Sequence, residues 1–148
     1  MNKTISKIYI SADHRGVGLK LYLIEMLAAA GYAVVNLGTD DPNTKIDFPE
    51  ITQRVTDALL ADPAARGIIT CGTGAGVQIA ANRFRHIRAS RCFRPEQARE
   101  DRFHDDINVL TLSSDDIDPE VAMLCTITFL ESPFEAIERR IRRIKAIS

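Results

Sequence analysis

At 148 residues, with 45% apolar and 26% charged side chains, the chain has the makeup of one globular domain, residues 1–148, with a core of its own. A formal net charge of -1 gives no reason to expect nucleic acid or an anionic membrane as a partner, and no apolar run approaches the roughly 20 residues that span a bilayer. The three cysteines, Cys71, Cys92 and Cys125, are odd in number and widely spaced, which fits a reducing cytoplasm rather than a disulfide framework. No Cys/His spacing resembles a zinc site, and residues 1–6 lack the apolar segment of a signal peptide, so a metal-free cytoplasmic protein is expected.

Apolar strand-like runs alternate with helical patterns along the whole chain. Lys7-Ile8-Tyr9-Ile10 reads as a first strand, and residues 18–30 carry apolar side chains at helical period until Gly31 stops them. Residues 32–37 form a second strand. The turn formers of 38–43 then lead to Phe48-Pro49 and a helix through about residue 60. Residues 67–71 make a third strand, followed by a helix over about 75–84. A fourth strand at 87–92, a short helix at 96–103 and a fifth strand at 108–112 precede two helical patterns, 119–131 and 134–146.

Five strands alternating with helices predict an α/β fold: a three-layer α/β/α sandwich around a five-stranded parallel sheet, Rossmann-like. Ligands in such sheets bind beyond the carboxyl ends of the strands. Asp13, His14, Cys71 and Thr73 each follow a strand and are expected on one rim. His104 precedes the fifth strand, so topology alone does not bring it there.

The segment Gly67-Ile-Ile-Thr-Cys71-Gly72-Thr73-Gly74-Ala75-Gly76 is the most informative stretch. Three alternating glycines let the backbone turn tightly and aim several N–H groups at one point, and the helix opening near Gly76 adds the positive end of its dipole. A thiol held there is expected to be more acidic and more nucleophilic than an ordinary cysteine. A donor nest beside a titratable base suits removal of a carbon-bound proton and stabilisation of the resulting oxyanion. The plainer alternatives are a buried cysteine ending a strand and a turn that needs glycine only for its dihedrals.

Several motifs, in order, resemble the ribose-5-phosphate isomerase B family, which also contains galactose-6-phosphate isomerase subunits. They are Ser11-Ala12-Asp13-His14-Arg15-Gly16 with Leu19-Lys20, Asp47-Phe48-Pro49, Cys71 to Gly76 with Ile79-Ala80-Ala81-Asn82-Arg83, Ile87-Arg88-Ala89, and His104-Asp105-Asp106-Ile107-Asn108-Val109-Leu110. The resemblance runs from Ile8 to about Ile147. It implies a metal-free, cofactor-free aldose–ketose isomerase, most simply one for ribose 5-phosphate and ribulose 5-phosphate, working through a cis-enediolate. The substrate would be a small sugar or sugar phosphate, and the assembly a homodimer or homotetramer.

Carried over residue by residue, the resemblance makes Cys71 the base that moves a proton between C1 and C2. The amides of Gly72, Gly74, Ala75 and Gly76 hold the enediolate oxygen, and His104 assists ring opening. Asp13 binds sugar hydroxyls unless it only caps the first helix, and His14 faces the phosphate or ring oxygen. Thr73 meets a hydroxyl or helps cap the following helix, and Asp105 lines the pocket. Arg139 and Arg143, four apart on one helical face, grip phosphate unless they belong to a solvated basic face. The last helix, about 134–147, is expected to serve a neighbouring subunit.

Three positions depart from the family pattern. Where the family has Gly-Ser-Arg or Gly-Gly-Arg after the fifth strand, this chain has Ser113-Ser114-Asp115. Asp105 stands where asparagine is usual, and Arg140 where histidine often occurs. The two acids make the expected pocket more negative, which disfavours a phosphate dianion, and Arg140 offers partial compensation. The alternatives are another sugar phosphate, an unphosphorylated sugar, or a sugar-phosphate-binding protein without catalysis.

Overall fold

The computed structural model describes residues 5–148; the expectation of no leader segment concerns, at residues 1–4, positions outside the described residues. Five strands, β1 (Ile8–Ala12), β2 (Val34–Asn36), β3 (Arg66–Cys71), β4 (Ala89–Arg91) and β5 (Val109–Ser113), form one sheet in the order β2-β1-β3-β5-β4. Every pairing is parallel, with Ile10 opposite Ile68 and Ile69 opposite Thr111. All five carboxyl ends therefore meet at one edge.

Among the described residues, six α-helices cover the faces: α1 (Val17–Ala29), α2 (Phe48–Ala61), α3 (Ala75–Ala81), α4 (Pro95–Asp105), α5 (Pro119–Glu131) and α6 (Glu138–Ile147). Side chains alternate across the sheet with a period of two. Ile8, Ile10, Ile68, Leu110 and Leu112 join Leu19, Leu23 and Leu27 of α1, Ala98 of α4 and Cys125 and Phe129 of α5 in one core. Ile69, Cys71 and Val109 join Ile51, Val55 and Leu59 of α2 and Val77 and Ala81 of α3 in the other. The leucines of α1 sit at intervals of four, on one helical face, and burying each stabilises the fold by about 1.5–3 kcal/mol. Central β3 is buried on both faces from Gly67 to Cys71, which is why its sequence does not alternate apolar with charged side chains.

The elements differ from the sequence reading mainly at their ends. The third helix stops at Ala81, not 84, because Asn82 turns to bracket the first residue of β4. Its Nδ2 donates to the Ala89 carbonyl at 2.9 Å and its Oδ1 accepts from the Ala89 N–H at 2.8 Å. The last helix starts at Glu138 rather than 134; Ile137 before it is extended, and the Glu135 N–H is spent on the Phe103 carbonyl. Strand β5 lies between β3 and β4, so it flanks the cysteine-bearing strand directly.

Candidate active site

The site is built where β1, β3 and β5 end. After β1 the chain makes a short 3-10 turn, His14–Gly16, capped by Asp13, whose Oδ1 accepts from the N–H groups of Arg15 and Gly16, both at 3.0 Å. A Cβ on residue 16 would collide with the Thr70 carbonyl of β3, so glycine lets this turn press against the neighbouring strand. None of the described residues donates to Asp13 Oδ2. Two buried polar side-chain atoms lack a partner among the described residues, Ser11 Oγ and His14 Nδ1, and the second belongs to this rim.

Cys71 ends β3 and is 5% exposed. Its Sγ accepts from the Gly74 N–H at 3.0 Å. That bond requires the left-handed backbone of Gly74, at φ 75°, where a Cβ would stand 3.1 Å from the backbone of Leu112 and Ser113. The expectation of an acidified thiol is corrected here. Burial pushes the Cys71 thiol above its ordinary range and Asp13 adds to the rise, while the amides of Gly74, Val77 and Thr73 only oppose it. The amide nest exists, but several of its donors are aimed at the sulfur itself. Thr73 is exposed, and its Oγ1 accepts from the Ala75 N–H at 3.3 Å. Gly76 leaves room for the Phe48 ring, which would lie 3.3 Å from a Cβ there.

The carboxylate of Asp115 does not confront this pocket unpaired, which corrects the second electrostatic expectation. It forms an ion pair with Arg15, reaching across from the β1 side, and its N–H donates to the Gly72 carbonyl at 3.0 Å. Ser114 Oγ lies 2.9 Å from the Arg15 carbonyl and 3.0 Å from the Cys71 carbonyl, so the ends of β1, β3 and β5 are tied together. Arg91, the last residue of β4, donates from Nη1 to the Thr73 carbonyl at 3.2 Å. The sequence reading passed over Arg15 and Arg91. The sequence reading carries the fourth strand on to residue 92, whereas β4 ends at Arg91, so only the folded strand puts this side chain at the rim. Arg15 was hidden inside a motif singled out for its neighbours.

The remaining candidates lie elsewhere. His104 and Asp105 close α4, at the amino end of β5, so the length of that strand, about 17 Å, separates them from the cysteine rim. His104 is exposed, with Nε2 2.9 Å from Glu100 Oε2 and its ring edge-on to Phe103. Asp105 borders a cavity of about 410 Å³ together with Phe84, Ile87 and Ile147, so it adds no charge to the Cys71 pocket of its own chain. Arg139 and Arg143 are exposed on α6. Arg140 does not join them: it is buried, ion-paired with Glu135 and stacked 4.7 Å from the Phe103 ring centroid, so the compensation expected of it is absent.

A doubly wound α/β protein whose central strands end in a thiol-bearing glycine loop and a capped Asp-His turn belongs to the class that takes small ligands at the carboxyl edge of its sheet. Comparison with known proteins narrows that class. A family model described as Ribose/Galactose Isomerase matches residues 8–147. Ribose-5-phosphate isomerase B of Escherichia coli K12 is 34% identical over 97% of this chain and 95% of its own length. The crystal structure of a ribose 5-phosphate isomerase from Thermotoga maritima superposes with a TM-score of 0.91 at 39% identity, covering 95% of this chain and 96% of that one. The Mycoplasma genitalium ribose-5-phosphate isomerase B structure with bound ribulose 5-phosphate gives a TM-score of 0.91 at 34% identity, over 97% and 95% of the two chains. The chain belongs to the ribose/galactose isomerase family. Among the described residues, no helix is long and apolar enough to cross a membrane.

Proposed function

We propose that the protein is a cytoplasmic aldose–ketose isomerase that interconverts ribose 5-phosphate and ribulose 5-phosphate without a metal. The observation that carries this reading is Cys71: a thiol ending the central strand, with loop amides gathered on its sulfur and Asp13 and His14 on the same rim. The Escherichia coli relative and the Mycoplasma genitalium structure holding ribulose 5-phosphate support the choice of substrate.

As thiolate, Cys71 removes the proton from C2 of the open-chain aldose. The C–H electron pair forms the C1=C2 bond, and negative charge collects on the C1 oxygen. The proton of the C2 hydroxyl passes to that oxygen; the thiol then returns its proton to C1 as C2 becomes the carbonyl. Gly72, Gly74, Ala75 and Gly76 supply backbone donors for the enediolate. The Gly74 N–H is held to the sulfur most strongly while the sulfur is charged, so protonation of Cys71 releases a donor as the oxyanion forms. Thr73 and the unpartnered oxygen of Asp13 meet sugar hydroxyls, and His14 faces the ring oxygen.

Ring opening needs an acid–base group, and His104 fills that role from a neighbouring subunit. Its place at the far end of β5 supports a site completed by a second copy, which also brings Asp105, Arg139 and Arg143 of α6 to the substrate. The protein therefore works as a homodimer or as a homotetramer built of such pairs.

Formation of ribulose 5-phosphate from ribose 5-phosphate, followed by proton NMR, tests the reading. Turnover is expected from the native chain, and Cys71→Ala should lower it by about 10²–10⁴-fold without lowering the melting temperature by more than a few degrees. A folded native protein that leaves ribose 5-phosphate unchanged would overturn the assignment.

A further inference from the structure

Two guanidinium groups border the Cys71 loop within a single chain, and the chemistry above uses neither. We propose that Arg15 and Arg91 form a phosphate-binding subsite in this chain's own half of the active site, an inference that rests on the substrate's being a sugar phosphate.

Arg15 is fixed at its backbone and at its tip. Its N–H donates to Asp13 at 3.0 Å, and its carbonyl lies 2.9 Å from Ser114 Oγ. The side chain crosses the gap between the ends of β1 and β5 to pair with Asp115. On the way its guanidinium lies over Gly72, where any Cβ would run into it. The side chain nevertheless remains 53% exposed, and one carboxylate engages only part of a five-donor fork. Asp115, which in sequence reads as a repulsive charge, is thus the anchor that presents a cation to the pocket.

Arg91 approaches the same loop from the other side. It donates to the Thr73 carbonyl at 3.2 Å, and its guanidinium stacks 5.2 Å from the Phe93 ring centroid. It has no carboxylate partner among the described residues. Of the acids around them, Asp115 holds Arg15 and Asp116 lies 3.0 Å from Ser113 Oγ, while Asp13 caps the 3-10 turn through Oδ1 alone. Arg15 lies against Gly72 and Arg91 against Thr73 and Gly74, so two planar donor forks flank one loop, and each fork can bind two oxygens of a phosphate group.

The test measures kcat and KM for ribose 5-phosphate, together with competitive inhibition by inorganic phosphate, in the native chain, Arg15→Ala and Arg91→Ala. Loss of either guanidinium should raise KM and the phosphate inhibition constant about tenfold or more, with kcat changed less than about threefold, and Arg15→Lys should recover part of the loss. Unchanged KM and phosphate inhibition in the folded variants would overturn the proposal. So would a loss confined to kcat, which would put the guanidinium at the reacting carbons. If the native chain does not turn over ribose 5-phosphate, thermal stabilisation by inorganic phosphate decides separately. A shift seen in the native chain and lost in both variants sustains the subsite although the proposed activity fails; an equal shift in all three overturns it.

Discussion

Cys71 is held between two opposing influences, and with Cys71 as the proposed base their balance sets the pH dependence of turnover. Loop amides favour the thiolate, but burial and Asp13 outweigh them and leave the thiol above its ordinary range. A base of this kind is active only when deprotonated, and below its pKa the thiolate fraction grows about tenfold per pH unit. The free enzyme's kcat/KM should therefore keep climbing through pH 8 with a slope near one. A plateau reached by pH 7 in a pH–rate profile would mean that the amides win. The position of the cysteine was legible in the sequence, because a strand, three glycines and a helix leave it nowhere but the rim. Its acidity was not, since burial depends on α2 and α3 packing over it. Arg140 makes the same point: its neighbours in sequence suggest a basic face, whereas its guanidinium folds back on Glu135 and Phe103.

At the scale of elements, the β3–α3 connection is the part least tolerant of change. Gly74 occupies a backbone region that side chains avoid, and a methyl group there would press on Leu112 and Ser113 of β5 at 3.1 Å. Gly74→Ala should cost about 1–3 kcal/mol of stability, read by denaturant unfolding. It should lower kcat more than the stability loss alone would, because the N–H that meets Cys71 Sγ moves with the loop. A variant with native stability and native kcat would show that the left-handed turn is dispensable. Element order was readable from apolar runs alternating with turn formers. An apolar face opposite a polar one marks α2, whereas α1 and α5 are apolar on most of their surface and expose Leu21, Met26 and Leu124. Element ends depend on contacts remote in sequence, such as Asn82 with Ala89 and Glu135 with Phe103.

For the molecule as a whole, the topology splits the candidate residues into two sets. Asp13, His14, Cys71 and the glycine loop gather at the carboxyl edge of the sheet, while His104 and Asp105 lie at the amino edge and Arg139 and Arg143 on α6. The sequence order contained this split, because residues before a parallel strand and residues after one emerge on opposite edges. What it withheld was the cation reaching over from β1 to neutralise Asp115, a pairing between residues 15 and 115 that only the folded sheet brings together.

The proposed sharing of this divided site between two copies is open to a direct check, complementation between inactive variants. On the proposed assembly, Cys71→Ala and His104→Ala subunits co-expressed with different tags should form mixed dimers in which one of the two sites retains both side chains. Random pairing makes half of the dimers mixed, so the pool should recover about a quarter of native ribose 5-phosphate isomerase activity, all of it in the doubly tagged fraction. Recovery at that level is expected if Cys71 and His104 of different copies meet in one site. A doubly tagged fraction as inactive as either parent would contradict that arrangement.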